Sequence, residues 1–207
     1  MNLRPLAIAL ACLLCLPLLA QTPPPVPRTS EPRPAPKPQP RPAAQRISVD
    51  PALVQVDDGD TVVVRWSKDD AETIRVLGID TPETRHIPHD IPFDQAFGPE
   101  ARAFAQGAFA AATKIEILRA STLDPYGRTL AYLFLNGTNY SLLVIRARLA
   151  EESVTRYGDN GFPAEAAAML AAAQEAGPLP FQPPGEYRAR MREVSRFMKS
   201  RGQYPEQ

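Results

Sequence analysis

Ile74 to Thr84 reads IRVLGIDTPET, an apolar run that carries Arg75 inside it and ends in Asp80-Thr81-Pro82-Glu83. Its β-branched start and its Gly-Ile-Asp end predict a strand that runs into a turn. A strand end needs only a turn former, so an arginine and two carboxylates in so short a span ask for a chemical reason. Asp-Thr-Pro-Glu by itself would also suit a helix start, with Pro82 at the first position and Glu83 in the first turn.

Outward from this stretch lie similar runs: RISVDPALVQV, TVVVRWSK, ETIRVLGI, KIEILRA and TLAYLFLNG, separated by Asp-Gly, Lys-Asp-Asp and Asn-Gly turn signals. Five such runs predict an α+β chain dominated by a small five-stranded barrel of the oligonucleotide-binding (OB) type. Three helices are expected to flank it. GPEARAFAQGAFAAAT offers Pro99 and Glu100 at a first turn and an apolar face through Phe104 and Phe109. SLLVIRARLAE starts at Ser141, a candidate N-cap, and Phe162 to Ala176 stops at Gly177-Pro178. Beyond them Tyr187, Met191, Val194 and Met198 recur at helical spacing, which predicts a C-terminal amphipathic helix docked on another part of the protein. No internal repeat is visible, which excludes a solenoid.

The chain has 207 residues, enough for one domain with appendages. Arg4 followed by an apolar run to Ala20 has the layout of a signal peptide over residues 1–20, and Pro17 leaves it short for a bilayer span. Both cysteines, Cys12 and Cys15, fall inside it, so the exported chain is expected to hold no disulfide; lipid attachment at one of them is the alternative. Residues 21–46 are proline-rich and predict a disordered linker, residues 47–180 the folded domain, and residues 181–207 the basic terminal helix. The expected location is secreted or periplasmic, with a lipid-anchored envelope protein as the other possibility.

Charge is uneven. The whole chain balances 23 basic against 23 acidic residues, yet residues 47–184 hold 11 Lys/Arg against 19 Asp/Glu. The linker and the terminal segment are basic. An acidic fold predicts weak, salt-sensitive affinity for a polyanion unless a cation or the basic tail compensates.

Three segments hold the unusual polar residues: VDDGDTV (Val56 to Val62), the opening stretch, and DPYGRTLAY (Asp124 to Tyr132). Each is ordinary alone, as a hairpin turn, a helix start and a solvated turn. Together, in the order DGDT, IRVLGIDTPET, FGPEA and DPYGRTLAY, they resemble the staphylococcal nuclease (thermonuclease-like) family over roughly Val54 to Ala176. The resemblance implies a barrel with three helices, Ca²⁺ dependence, and hydrolysis of DNA and RNA at the bond to the 5′ oxygen, leaving 3′-phosphate ends. It implies Asp60, Asp80 and the Thr81 carbonyl as metal ligands and Glu83 as general base. Arg75 and Arg128 would bind phosphate, and Tyr126 would line the nucleotide pocket. No stable protein partner is implied, a monomer is expected, and a membrane would be a partner only if the leader is uncleaved or lipidated.

The residue chemistry agrees. Ca²⁺ takes six to eight oxygens, so two carboxylates and a carbonyl leave room for water and a phosphate oxygen. Planar guanidinium groups pair with phosphate through two parallel hydrogen bonds and stay charged. A water nucleophile needs no ribose 2′-hydroxyl, which allows both nucleic acids.

Several features depart from the family. The loop RHIPHDIPFDQAFGPEA is longer than expected, and His86, His89 and Asp90 in it are a candidate second metal site. Ser141 and Arg148 stand where the family has Asn and Gly, and no secure base-stacking tyrosine follows: direct counting lands on Val154, three residues before Tyr157. The alternative function is a catalytically inactive OB-fold binding module for nucleic acid or protein, tethered to the envelope. That reading predicts gaps at the metal and base positions, and the sequence shows none.

Overall fold

The computed structural model describes residues 35–205. The expected signal peptide, both cysteines and the first part of the linker lie outside the described residues.

Strand β1 (Arg46–Val49) and strand β2 (Val54–Val56) come from one run, bent at a 3₁₀ turn over Pro51–Leu53. Asp50 caps that turn by accepting from the Ala52 N–H at 2.9 Å. β3 (Thr61–Arg65), β4 (Ala71–Val76), the short β5 (Ile79–Asp80), β6 (Ile115–Leu123) and β7 (Thr129–Leu135) follow, with two-residue strands β8 (Thr138–Asn139) and β9 (Glu151–Glu152). The main sheet runs β1-β6-β7-β4-β3-β2, with β8 on β7 and β5 paired separately with β9. Neighbours are antiparallel except β4 and β7, which are parallel. Because β1 and β2 are consecutive yet occupy opposite ends of this path, the sheet must curl until one bent segment holds both ends. The mixed, half-barrel architecture agrees with the expected class. Six strands lie on the path where five runs were expected, since the first run divides at the turn.

Alternation on β4 explains how an arginine fits an apolar strand. Glu72, Ile74 and Val76 are buried while Ala71, Thr73 and Arg75 face the other way. Register sets Thr61 opposite Arg75, which draws the Asp-Gly-Asp turn to the arginine. The core packs Val62, Val64, Ile74, Ile117 and Leu133. A polar group sits within it: Arg119 donates through Nε and Nη2 to Glu72 at 2.7 and 2.8 Å, and Thr129 and Trp66 donate to the same carboxylate at 2.7 and 2.9 Å. Such a pair is tolerable inside because its hydrogen bonds are complete.

The helices are α1 (Gly98–Ala110), α2 (Tyr140–Arg146), the one-turn α3 (Val154–Tyr157), α4 (Pro163–Ala176) and α5 (Pro184–Ser200). α1 has Pro99 and Glu100 in its first turn and buries Phe109, as expected. Asp80 to Glu83 opens no helix, and α2 is capped by Asn139, which accepts from the Ser141 N–H at 3.0 Å. Ser141 instead donates its hydroxyl to the Leu77 carbonyl at 2.7 Å, because the helix begins one residue before it. Arg148 is left-handed, with φ 57°, at the position where the family has glycine.

The linker also needs correction. Lys37 to Ala44 lies along β6, with the Gln39 and Ala44 N–H groups donating to Ser121 and Arg119 at 2.9 Å each. Prolines cannot donate, so pairing is intermittent, and Arg41 anchors the segment on Asp70 and on Glu72, the latter at 3.4 Å.

Candidate active site

Two turns bring the carboxylates together. In the β2–β3 hairpin the Asp58 side chain accepts from the Asp60 N–H at 3.0 Å, and the Tyr140 hydroxyl donates to the Gly59 carbonyl at 2.7 Å. Gly59 must lack a side chain: a Cβ there would stand 2.8 Å from the Thr81 side chain. The second turn, after β4, uses Gly78 at φ +80° to reverse the chain, and β5 then places Asp80 against Glu151 of β9. Thr81 closes the gap by donating its N–H and its Oγ1 hydroxyl to Asp60 at 2.8 and 3.1 Å.

Arg75 bridges the two carboxylates. Its Nη1 donates to Asp60, and its Nη2 donates to Asp80 at 2.7 Å and to the Ile79 carbonyl at 3.3 Å. Asp60 is only 3% exposed. Burial, opposed by Arg75 and reinforced by the charges of Asp58 and Asp80, pushes its carboxyl up to about 6. At Asp80 burial acts in the same direction, but hydrogen bonds and charge from Arg188 and Arg75 outweigh it and hold this carboxyl below the usual range. Burial also raises Glu83, against the pull of Arg188.

Glu83 is fixed through its main chain. Its N–H donates to the buried Gln95 side chain at 3.1 Å, and its carbonyl accepts from the Gln95 N–H at 2.8 Å. α1 starts immediately above: a Cβ on Gly98 would lie 2.2 Å from the Glu83 carbonyl oxygen. The Gly of FGPEA is therefore required by close approach of two backbones.

The structure thus brings Asp60, Arg75, Asp80, Thr81 and Glu83 together. Arg128 and Tyr126 lie on the turn between β6 and β7, and neither side chain hydrogen-bonds to these five residues. Arg128 donates through Nε to Asp124 at 2.7 Å and lies 5.7 Å over the Tyr126 ring, which is 86% exposed. Tyr157, 60% exposed, lines a cleft of about 150 Å³ with Asp80, Glu151 and Arg156, whereas Val154 is buried. His86 and His89 stack at 4.0 Å, and among the described residues no three His, Cys, Asp or Glu side chains converge as ligands of one ion.

Sequence reasoning missed Arg188. Reaching in from α5, it donates through Nη2 and Nη1 to the two oxygens of Asp80 at 2.7 and 3.0 Å, and through Nη1 to Glu83. Its only signal was a place beside Tyr187 on the buried stripe, shared with several other arginines of the helix.

Asp60 and Asp80 present a donor set made only of oxygen, with the Thr81 carbonyl next in the chain, which suits a hard divalent cation. Burial is the main cause of the raised Asp60 carboxyl, and the neighbouring charges of Asp58 and Asp80 add to it. The residues fit a cation, and two guanidinium groups balance them here.

The sequence matches the family described as staphylococcal nuclease homologue over residues 73–177. Thermonuclease of Staphylococcus intermedius is 33% identical over 103 residues, covering 49% of this chain and 55% of its own. The SPbeta prophage-derived endonuclease YokF of Bacillus subtilis is 31% identical over 117 residues, covering 54% and 38%, and an uncharacterized protein of Methanocaldococcus jannaschii is 35% identical over 102 residues, covering 42% and 49%. The chain spans about half the length of the curated relatives it matches, or less. Arg75, Asp80, Thr81, Glu83, Tyr126 and Arg128 lie within the family match, while Asp60 precedes it and Arg188 follows it. With half of its length inside that match, the protein belongs to the staphylococcal nuclease family.

Proposed function

We propose that the protein is an exported Ca²⁺-dependent nuclease that hydrolyses DNA and RNA to leave 3′-phosphate ends. The observation that carries this reading is the convergence of Asp60, Arg75, Asp80, Thr81 and Glu83 from two separate turns onto one site. Nuclease names among the relatives support it, as does the apolar leader ahead of a proline-rich arm.

Asp60, Asp80 and the Thr81 carbonyl would hold the cation, which when bound polarises a phosphoryl oxygen. Glu83, its main chain clamped by Gln95, takes a proton from the attacking water. Its raised carboxyl makes it a better base than a solvated glutamate. Arg75 projects from β4 toward the same space and would stabilise the charge that grows on the phosphoryl oxygens. Arg128 and Tyr126 would meet the substrate from the neighbouring turn. In this reading residues 47–180 form the catalytic domain, and the segment after it packs back on that domain.

Incubation of the full chain with single-stranded DNA and with RNA, in Ca²⁺ and in chelator, tests the reading. Cleavage in Ca²⁺ is expected to fall by about 10²-fold or more in Glu83→Gln, with calcium affinity little changed. Binding of nucleic acid without cleavage under every divalent ion would instead favour the inactive module.

A further inference from the structure

The two segments that depart most from the family pattern, the long loop after Arg85 and the terminal helix, are partners. Tyr187 donates its hydroxyl to the Phe93 carbonyl at 3.0 Å, Ser195 to that of Asp90 at 2.9 Å, and Tyr204 to that of Ile87 at 2.9 Å. Lys199 pairs with the Asp90 carboxylate at 2.5 Å, and Ile91 packs with Tyr187 and Met191. Asp90 thus pairs with the terminal helix. Gln95, which clamps Glu83, also donates to the Gln182 carbonyl at 2.5 Å, just ahead of α5. The helix is therefore fixed along its length, and its first turn delivers Arg188 to Asp80 and Glu83.

We propose that Arg188 is a positioning residue that competes with the divalent cation: it holds Asp80 and Glu83 while the cation is absent and must release Asp80 when the cation binds. The inference rests on the reading of Asp80 as a cation ligand. Three of the roughly four lone-pair sites of the Asp80 carboxylate already accept from guanidinium groups, two from Arg188 and one from Arg75, so an entering cation meets the charge of Arg188 on the same carboxylate and competes with it. No movement of α5 is required, since the guanidinium sits at the end of a flexible stem and is 27% exposed. The cost of displacement falls on the cation and weakens its apparent affinity.

Calorimetric titration of the full chain with Ca²⁺ tests this, using wild type, Arg188→Gln, Arg188→Lys and Asp80→Asn, each first checked for its thermal transition in chelator. Arg188→Gln is expected to bind Ca²⁺ at least about tenfold more tightly than wild type, because the competing charge is gone. Arg188→Lys, which keeps a charge without the planar fork, is expected to fall between them. Equal or weaker affinity in Arg188→Gln overturns the proposal. If Asp80→Asn abolishes binding in that case, the ligand reading of Asp80 survives. If no variant binds Ca²⁺, both the competition and the ligand reading fall.

Discussion

At the residue scale the site buries carboxylates close to one another and pairs them with Arg75 and Arg188. Asp60 shows the consequence. Its folded carboxyl, at about 6, lies above its ordinary value of 3.8, so the folded state holds the proton more tightly than the unfolded chain does. Its stabilising contribution is complete below about pH 4 and is lost as pH rises through 6. Asp60→Asn, unable to ionise, is therefore expected to stabilise the cation-free protein at pH 8 by roughly 1 to 3 kcal/mol, and by little at pH 4. Urea unfolding in chelator at both pH values checks this, and a wild-type stability that does not fall between them removes the basis. Asp60, Arg75, Asp80, Thr81 and Glu83 were singled out by the order of their segments, which resembles the nuclease family, because each segment alone reads as an ordinary turn or strand end. Arg188 was not, because an arginine on a basic helix carries no local mark of what it reaches.

At the scale of elements, glycines set the geometry of the clustered carboxylates. Gly98 lets α1 press against the Glu83 main chain, and any side chain there must push Glu83 away. Gly98→Ala is expected to lower hydrolysis by about 10²-fold, the order of loss that follows a shift of about 1 Å at a reacting group. Gly107→Ala is the control: it lies in the same helix with nothing near its added methyl, and should leave activity intact while adding about 0.5 to 1 kcal/mol of stability. Equal activity in the two variants would show that the contact does not position Glu83. The sequence announced α1, α4 and α5 through proline, glycine and apolar spacing, and those helices are present. It misplaced the α2 cap by two residues, because Asn139 and Ser141 are both good caps and only tertiary contact with Leu77 decides between them.

At the scale of the molecule, the interior pair of Glu72 and Arg119 ties β4, β6 and β7 to the proline-rich arm, whose Arg41 approaches the same carboxylate. Burial would raise the Glu72 carboxyl, but hydrogen bonds from Arg119, Thr129 and Trp66 hold it below its ordinary value. A lowered carboxyl stabilises the fold above about pH 4.5, and that contribution disappears as pH falls through the folded value. Glu72→Gln, which strands a buried arginine, is expected to cost about 3 to 5 kcal/mol at pH 7, and the difference from wild type should shrink toward pH 3. Denaturant curves at the two pH values decide it. The arm's attachment was not legible, since proline-rich composition reports what a segment cannot bury and says nothing of an edge it can lie on. The same topology bears on how the chain is born. β1 leaves the ribosome with its partner β6 still some seventy residues from synthesis. Until that partner emerges, the segment that will close both ends of the sheet is an unpaired strand, open to stray association during translation.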